Sequence, residues 1–415
     1  MSVLRRSVKS LFRRPWAPLT FPNEGFIPIP ADIKVEEETL PDYVASHSYP
    51  VRLGEIFRDE YQIVGKLGYV GTSTVWLARD LSERKHVAVK LYAKSGFVRS
   101  YSDNELETYN RVENATQHHP RRTTIRSLLH SFDIQGPTGS HLCLVHPALW
   151  ESILDLKHRN PIQQLPIPVV AFVLERMFQA LDLLHTKCHI AHTDIKEANI
   201  LLGADDNVLA DFEQEQLKNP CPRKELPDRT IYQSRELNMP LTIGEPLLCD
   251  FGSAVPLDDG VEHREDIQPN IYRAPEIILD IPWSYSVDIW NVGCVTWDAL
   301  QGGRLFNGDD PKIGTYRGRA HLAEMIALLG HPPQSLLARA NLRSNFFSES
   351  GQWIADIPIP ESGPLEARET ALIQGDAADR EAFLRFMRKM IQWEPEKRST
   401  ARELAEDEWI LKHTT

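Results

Sequence analysis

The stretch "HIAHTDIKEANILL", residues 189–202, decides the fold. The polar side chains that it places between two apolar segments include His192, Asp194, Lys196 and Asn199. The segment before it, residues 169–187, repeats apolar residues at i, i+3, i+4 and i+7, which predicts a buried helix. The apolar run "ILL" that follows predicts a strand. The sequence therefore predicts a loop of closely spaced polar groups held between a helix and a strand.

Upstream of this loop, residues 61–94 alternate polar and apolar side chains. "YQIVGKLGYVGTSTVWLARD" and "HVAVKLYAK" predict three short strands with a glycine turn between the first two. In such an arrangement the backbone N–H groups of the turn lie over nucleotide phosphates, and Lys90 projects from its strand toward them. "SDNELETYNRV" predicts a helix that places Glu105 where it can pair with Lys90. A lysine and a glutamate at this spacing also commonly form an ordinary surface pair, so this signal alone is weak.

The composition is that of a globular protein without a disulfide framework. The 415 residues suffice for two or three packed units, and 42% of them are hydrophobic. The five cysteines are scattered and form no C-x-x-C pair, which argues against disulfides and against a zinc site and favours a reducing compartment. The formal net charge of -12 speaks against nonspecific binding of nucleic acid and permits attraction of basic partners. No apolar run approaches the ~18 residues of a membrane span.

Residues 1–50 differ from the rest of the chain. "MSVLRRSVKSLFRRPW" carries five basic residues and no acid. This pattern fits either a disordered basic tail or a transit peptide for mitochondria, and both alternatives stay open. The proline-rich segment from residue 16 to about residue 50 shows no sustained periodicity of apolar residues, so we expect an extended arm along a domain surface.

The polar loop resembles the H-x-D-x-K-x-x-N catalytic loop of the eukaryotic protein kinase superfamily. The resemblance extends from about residue 61 to about residue 410. It implies an α+β, bilobal protein kinase fold. The β-rich N-lobe would span residues 51–148 and the mainly helical C-lobe residues 149–415.

The resemblance also implies a role for each polar group of the loop. Phosphoryl transfer spreads negative charge in its transition state, so catalysis consists mostly of positioning and charge stabilisation. Asp194 would orient the substrate hydroxyl and accept its proton, and Lys196 would contact the transferring phosphate. Asn199 would ligate a magnesium ion. A lysine two positions after the aspartate is the serine/threonine kinase pattern.

Two Asp-Phe pairs compete for the remaining magnesium position. Asp211, in "NVLADFEQEQ", lies 12 positions after Asn199, the usual spacing, and Asp250, in "PLLCDFGSAV", lies 51 after it. Both pairs sit in strand-like apolar runs. Small-molecule phosphotransferases of the aminoglycoside and choline kinase type carry a D-F-E setting that "ADFEQ" would suit. The spacing counted from Asn199 therefore favours Asp211 as the magnesium ligand.

Downstream motifs favour Asp250 instead. "IYRAPEIIL" supplies the A-P-E that ends an activation segment, and Glu276 lies 26 positions after Asp250 but 65 after Asp211. Asp288, in "SVDIWNVG", would support the catalytic loop, and Arg398 would pair with Glu276. We therefore assign Asp250 to magnesium. Residues from about 203 to 245 then form an insertion in the C-lobe, with Asp211 as a structural residue.

Further motifs resemble the serine/arginine-protein kinase family of the CMGC group, in its fungal-type branch. These are "HTDIK", "YPVRLGEIFRDEYQIVGKLG", "STVWLARD" and "IYRAPE". Arg273 matches the arginine before A-P-E, and residues from about 303 to 382 would hold the group's insert. The family implies constitutive phosphorylation of Ser/Thr in Arg/Ser-rich splicing factors, with ATP and Mg²⁺ and an acidic docking groove. Thr193 replaces the arginine that binds an activation-loop phosphate, so we do not expect such phosphorylation to switch the enzyme on.

The nucleotide pocket follows from the same resemblance. Four apolar residues should line the adenine site: Leu67, Val75, Ala88 and Leu201. Leu149 would donate its N–H to adenine, since Pro147 in the hinge has none and His146 stands at the gatekeeper position. Gly68, Gly71 and Ser73 form the turn, whereas Val70 occupies a position at which the family has glycine. A β-branched residue there restricts the backbone, so we expect weaker nucleotide binding.

Two other functions remain as alternatives. One is a pseudokinase that serves as a binding scaffold, which the altered glycine turn keeps open, and the other is a small-molecule phosphotransferase that uses Asp211. For the kinase we expect a monomer in cytoplasm and nucleus that regulates mRNA processing, with mitochondrial import as the alternative. We expect no direct contact with nucleic acid or membrane.

Overall fold

The computed structural model describes residues 14–94, 96–117, 119–258, 260–372 and 376–414. The chain divides into two compact units. The first holds the described residues up to Glu107 together with Arg126–Trp150 and Leu202–Glu245, and the second holds the remainder. The first unit is rich in strands and the second is mainly helical. The predicted α+β class is confirmed.

A six-stranded antiparallel sheet forms the first unit's core within the described residues. Its strands are β1 (Ile56–Phe57), β2 (Tyr61–Val70), β3 (Ser73–Asp80), β4 (Lys85–Tyr92), β5 (His130–Gly136) and β6 (Gly139–Pro147). They lie in the order β1-β2-β3-β4-β6-β5. One face buries Ile63, Trp76, Val89 and Val145, as the period-2 pattern requires. The predicted strands and the turn at Gly71 and Thr72 are confirmed.

The remaining strands and helices follow along the chain. The helices are α1 (Gly96–Thr116), α2 (Ile153–Arg159), α3 (Ile167–Leu183), α4 (Asp206–Lys218), α5 (Pro275–Ile278), α6 (Ser286–Gln301), α7 (Gly318–Leu329), α8 (Gln334–Leu337), α9 (Leu365–Arg368), α10 (Ala377–Met390), α11 (Ala401–Ala405) and α12 (Glu408–Thr414). The strands are β7 (Leu149–Ser152), β8 (Ile190–Ala191), β9 (Ile200–Gly203), β10 (Arg223–Glu225), β11 (Thr230–Tyr232), β12 (Pro246–Leu248) and β13 (Val255–Pro256). Within the described residues no helix combines the length and the apolar character that crossing a membrane requires.

The segment that we expected as an insertion of the C-lobe packs instead with the sheet of the first unit. The run around Asp211, which we took as strand-like, is helix α4. The side chain of Asp205 accepts a hydrogen bond from the Asn207 N–H at 2.9 Å and begins this helix. The ring of Phe212 lies against Gly65 of β2, where a Cβ would collide with it. Apolar residues spaced by four positions suit a helix face, which explains the difference.

The N-terminal arm, residues 14–50, lies along the surface of the first unit, as predicted. Its backbone is irregular except for two 3₁₀ turns, Glu36–Thr39 and Ala45–His47. The Trp16 N–H donates to the Leu81 carbonyl at 2.8 Å. Further along, the guanidinium of Arg223 lies 3.7 Å from the centroid of the Phe26 ring. The arm has no periodic apolar residues, so its ordered conformation depends on hydrogen bonds and ring contacts with the rest of the first unit.

The second unit is organised around helix α6, which is buried along nearly its whole length. Its side chains pack in part against α3, another strongly apolar helix. Glu276 at the start of α5 forms a bidentate ion pair with Arg398, with N–O distances of 2.6 and 2.7 Å. Both side chains are fully buried. This pair, predicted from the sequence, joins the end of the activation segment to the C-terminal helices.

We expect Arg398→Ala to lower the free energy of unfolding of the second unit by about 3–5 kcal/mol, because it leaves the Glu276 carboxylate buried without its partner. Chemical denaturation followed by tryptophan fluorescence measures this. A double variant, Glu276→Leu with Arg398→Met, should recover most of the loss, since apolar groups of similar volume replace a buried ion pair at little cost. A single variant as stable as the parent protein would contradict the assigned role.

Candidate active site

The predicted catalytic loop lies in the second unit between two short strands. Strand β8 begins it and pairs with β13, with Ala191 opposite Val255. A 3₁₀ turn, Glu197–Asn199, ends it and leads into β9. Because both ends are fixed in strands, the polar residues between them occupy defined positions.

Asp288 of α6 holds the first half of this loop. Its carboxylate, which is fully buried, accepts hydrogen bonds from the N–H groups of His192 and Thr193 at 2.8 Å each. A third bond, also 2.8 Å long, joins it to the ring of His185. Thr193 has a φ of 65°, a left-handed conformation that costs a β-branched residue about 1–3 kcal/mol. The bond from the Thr193 N–H to Asp288 and the bond from the Thr193 hydroxyl to the Ser253 carbonyl offset this strain.

Asp194, Lys196 and Asn199 form one hydrogen-bonded group. The Lys196 ammonium contacts the two Asp194 carboxylate oxygens at 2.8 and 3.1 Å. The Asn199 amide nitrogen donates to the Asp194 carbonyl at 2.8 Å and to its carboxylate at 2.9 Å. Because the nitrogen faces Asp194, the amide oxygen faces away from it and is the atom suited to a cation. The three side chains therefore hold each other in one arrangement.

The backbone beside Asp250 is bonded directly to this group. The Cys249 N–H donates to the Asn199 carbonyl at 2.9 Å, and the Cys249 carbonyl contacts the His192 ring at 3.1 Å. Asp250 itself has a φ of 63°. The next ring, Phe251, is buried and lies 5.0 Å from the His192 ring. His192 and Phe251 thus act as packing residues, as predicted, and the residue that follows Cys249 is placed next to Asn199.

Asp211 lies in different surroundings. Its side chain is exposed on α4, in the first compact unit, whereas Asn199 belongs to the second. The backbone hydrogen bond that Asn199 accepts next to the Asp-Phe-Gly stretch comes from Cys249, the residue before Asp250. The geometry within the second unit therefore agrees with Asp250 as the ligand.

The oxygen atoms of Asn199 and Asp250 suit a hard divalent cation. Amide and carboxylate oxygens are the ligands that Mg²⁺ prefers, and Mg²⁺ commonly completes its shell with water and substrate phosphate. Within the described residues no cluster of three His, Cys, Asp or Glu side chains could hold a metal ion without such help. The cysteines are all buried, and burial raises the pKa of the Cys188 thiol to about 11. A site with oxygen ligands from only two side chains, Asn199 and Asp250, thus suits a cation that binds together with the nucleotide.

The first unit supplies the predicted lysine and glutamate. Lys90 on β4 donates to a carboxylate oxygen of Glu105 on α1 at 2.8 Å. The two residues are 7% and 1% exposed. A pair buried to this degree is not the ordinary surface pair that the spacing alone allowed, because desolvated charges require a partner.

The predicted turn and adenine residues of the first unit lie on three neighbouring strands. Leu67 and Gly68 belong to β2, Ser73 and Val75 to β3, and Ala88 to β4. The Cβ positions of Gly68 and Gly71 face open space. Leu149 begins β7 and is 7% exposed, and Leu201 lies on β9.

Two predicted departures from the family pattern are accommodated locally. Val70 ends β2 as an ordinary strand residue with no positive φ, so its β-branched side chain imposes no backbone strain. His146 is buried, and its Nδ1 contacts the Ser127 carbonyl at 2.9 Å. Neither residue distorts the sheet that carries it.

Sequence reasoning missed one residue of the catalytic loop, Glu197. It is buried and accepts a hydrogen bond from Lys157 of α2 at 2.5 Å. Burial raises the pKa of the Glu197 carboxyl, and the bond from Lys157 acts in the opposite direction. The pair fixes the turn between Lys196 and Asn199 to a helix 40 positions away. A charged residue between two functional ones was the available signal, but its partner is not visible in the sequence.

Comparison with known proteins agrees with this geometry. The protein kinase domain family matches residues 61–226 and 238–410. A serine/threonine protein kinase of Aspergillus fumigatus is 34% identical over 99% of this chain and 100% of its own length. The serine/threonine-protein kinase SRPK of Physarum polycephalum is 29% identical over 90% of this chain and 91% of its own. SRSF protein kinase 3 of Mus musculus is 37% identical over 41% of this chain and 30% of its own.

The family match spans the glycine turn, the catalytic loop, the Asp-Phe-Gly stretch and the Glu276–Arg398 pair together. A protein kinase domain uses ATP with a divalent metal ion and acts on protein substrates. The named relatives are themselves protein kinases, which supports neither the scaffold nor the small-molecule alternative. The chain belongs to the protein kinase family and is a serine/threonine protein kinase of the SRPK type.

Proposed function

We propose that this kinase transfers the γ-phosphate of Mg-ATP to serine or threonine in basic, Arg/Ser-rich proteins. The observation that carries the catalytic assignment is the double tether of Asn199. Its carbonyl accepts from the Cys249 N–H, and its amide nitrogen donates to Asp194. One residue thereby links the proposed magnesium aspartate, Asp250, to the proposed catalytic aspartate.

Each group has a defined task in this proposal. Asp194 orients the acceptor hydroxyl and receives its proton, and Lys196 stands beside it to contact the transferring phosphate. Asn199 and Asp250 hold magnesium through their oxygens. When bound, the metal neutralises phosphate charge. Lys90, held by Glu105, supplies a further cation for the phosphates.

The surface beside Asp194 supports a basic substrate. An open cavity of about 490 Å³ is lined by residues of the catalytic loop and of the activation segment, among them Asp194, Ser253 and Asp266. Asp266 pairs with Arg273 at 2.9 Å, yet its side chain is 70% exposed. Glu262 and Glu265 of the same segment are 64% and 60% exposed. Exposed carboxylates on the activation segment, of which Asp266 lines the cavity, favour arginine-rich peptides on a chain of net charge -12.

The family resemblance also supports proposals about the substrates and the location of the enzyme in the cell. Arg/Ser-rich splicing factors are the proposed substrates, recognised in part through an acidic docking groove. We place the enzyme in cytoplasm and nucleus as a monomer that regulates mRNA processing without binding nucleic acid or membrane itself. Import into mitochondria through the basic first residues, which lie outside the described part of the chain, is the alternative.

Asp250→Asn should lower kcat/KM about 10²–10³-fold, because it weakens the charge stabilisation that the metal provides. Asp211→Asn is the matched control and should leave kcat/KM unchanged. Phosphorylation of an Arg/Ser peptide with ATP and Mg²⁺ measures both. Loss of activity in the Asp211 variant with activity retained in the Asp250 variant would instead support small-molecule phosphotransfer.

Mg-ATP at 100 times its Kd should raise the free energy of unfolding by about 2.7 kcal/mol in the parent protein. The resulting rise in Tm should be smaller in Asp250→Asn at the same concentrations, since that variant lacks a metal ligand. Thermal unfolding with and without nucleotide measures this. No shift at millimolar Mg-ATP in the parent protein would favour the scaffold function.

Peptide substrates test the specificity. We expect kcat/KM for an Arg/Ser-repeat peptide to exceed that for a matched Glu/Ser peptide by about 100-fold or more, since like charges repel at the site. Replacement of the serines by tyrosine should abolish phosphorylation. Equal kcat/KM for the basic and the acidic peptide would remove the basic-substrate proposal and leave the kinase assignment intact.

A further inference from the structure

Three consecutive glutamates of the N-terminal arm, Glu36, Glu37 and Glu38, all bind polar groups of the first unit, and Glu36 and Glu37 share Lys66. Glu36 accepts from the N–H and hydroxyl of Ser234 at 2.9 and 2.7 Å. Glu37 pairs with Lys66 of β2. Glu38 pairs with Lys224 of β10. The acidic stretch "KVEEETLP" is thus a set of specific contacts and not a solvated face.

Lys66 is the most constrained of these partners. Its side chain is fully buried, two positions before Gly68 of the glycine turn. Its ammonium also donates to the Tyr232 carbonyl at 3.3 Å and lies 5.3 Å from the centroid of the Tyr69 ring. Among the described residues, the carboxylates within 4 Å of this ammonium belong to Glu36 and Glu37. A buried ammonium requires a carboxylate partner, and here the arm supplies it.

The arm then continues beside the glycine turn. A cavity of about 30 Å³ separates the two and is lined by arm residues and turn residues together. Its lining includes Leu40, Tyr43 and Tyr49 from the arm and Val70 and Gly71 from the turn. Such a cavity has room for only one or two water molecules, so the arm lies close to the turn, while Val70 and Gly71 at the tip remain exposed.

Next to the turn, the arm is also bonded to the end of β4. The Lys94 N–H donates to the His47 carbonyl of the arm at 2.7 Å, and the Ala93 N–H donates to the Thr72 carbonyl of the turn at 2.8 Å. Consecutive residues of one strand end thus bind the arm and the turn. The turn is therefore supported from two directions: through Lys66 at the strand that leads into it, and through residues 93–94 at its tip.

We propose that arm residues 35–49 form a clamp that positions the glycine turn for nucleotide phosphates, with Glu37 and Lys66 as its positioning residues. The inference rests on the proposed use of Mg-ATP. A turn that binds phosphate through backbone N–H groups loses affinity if those groups must first be ordered. The clamp orders them in advance. Val70, which departs from the family's glycine, contributes to the lining of this cavity and remains 45% exposed.

The test compares two neighbouring glutamates in the full-length protein. Glu37→Gln weakens the contact with Lys66, whereas Glu38→Gln weakens an equally charged contact with Lys224 that does not reach β2. Hydrogen–deuterium exchange of the nucleotide-free protein should rise about tenfold in peptides covering residues 67–75 of the Glu37 variant only. Equal exchange in both variants and the parent protein would overturn the clamp.

Nucleotide binding provides the second readout. Calorimetry with Mg²⁺ and a non-hydrolysable ATP analogue should show Kd weakened about tenfold in Glu37→Gln and changed less than about twofold in Glu38→Gln. With saturating ATP, kcat and the KM for peptide should stay within about twofold of the parent in both variants. A merely structural role would lower kcat and peptide affinity as well, so such a uniform loss would also overturn the proposal.

A further variant covers the case in which Glu37→Gln fails to fold. Lys66→Met with Glu37→Leu removes both charges and leaves no unpaired buried ammonium from this pair. It should fold and still show raised exchange at residues 67–75, and exchange like that of the parent would overturn the role of the pair. If the parent protein neither binds nucleotide nor transfers phosphate, the proposed function fails, while exchange in the nucleotide-free protein still decides about the clamp.

Discussion

The catalytic loop depends on one buried carboxylate, that of Asp288. It accepts two consecutive backbone N–H groups, those of His192 and Thr193, on a helix that is itself almost wholly buried. Consecutive N–H groups point the same way only if the backbone departs from extended geometry, and Thr193 does so with a φ of 65°. The strained residue directly precedes Asp194. The conformation of Thr193 therefore sets the direction in which the side chain of Asp194, the proposed catalytic carboxylate, leaves the backbone.

The same loop is joined at its other end to the Asp-Phe-Gly stretch. His192 and Asn199, at the two ends of the loop, both bind the backbone of Cys249. A displacement of Asp250 would thus break bonds to two residues that flank Asp194. This coupling explains how the proposed metal ligand, Asp250, and the proposed proton acceptor, Asp194, which are 56 positions apart, keep their relative positions without a direct bond between them.

The sequence was informative wherever a function depends on residues close together in the chain. The spacing of Asp194, Lys196 and Asn199 predicted one loop, and the structure holds them in one hydrogen-bonded group. The gaps from Asp250 to Glu276 and on to Arg398 were informative because family motifs recur in a fixed order.

Interactions between distant residues could not be predicted in this way. The apolar run around Asp211 is too short for its periodicity to distinguish a strand from a helix. Its helical conformation becomes evident only in the structure, where Phe212 packs against Gly65. Lys157 and Glu197 are 40 positions apart, and Lys66 and Glu37 are 29 apart. No periodicity connects such pairs, because the fold alone brings them together.

The two segments with the least sequence pattern, the arm and residues 202–245, stabilise each other. Residues 202–245 place Cys221 and Tyr232 in the hydrophobic core of the first unit. The two segments meet at Lys224 and Glu38, at Ser234 and Glu36, and at Arg223, whose side chain donates to the Asn23 carbonyl at 3.0 Å. Both also reach β2, the arm through Glu37 and the second segment through Phe212. Because one strand receives both segments immediately before the glycine turn, a change that loosens either of them acts on the same stretch of backbone.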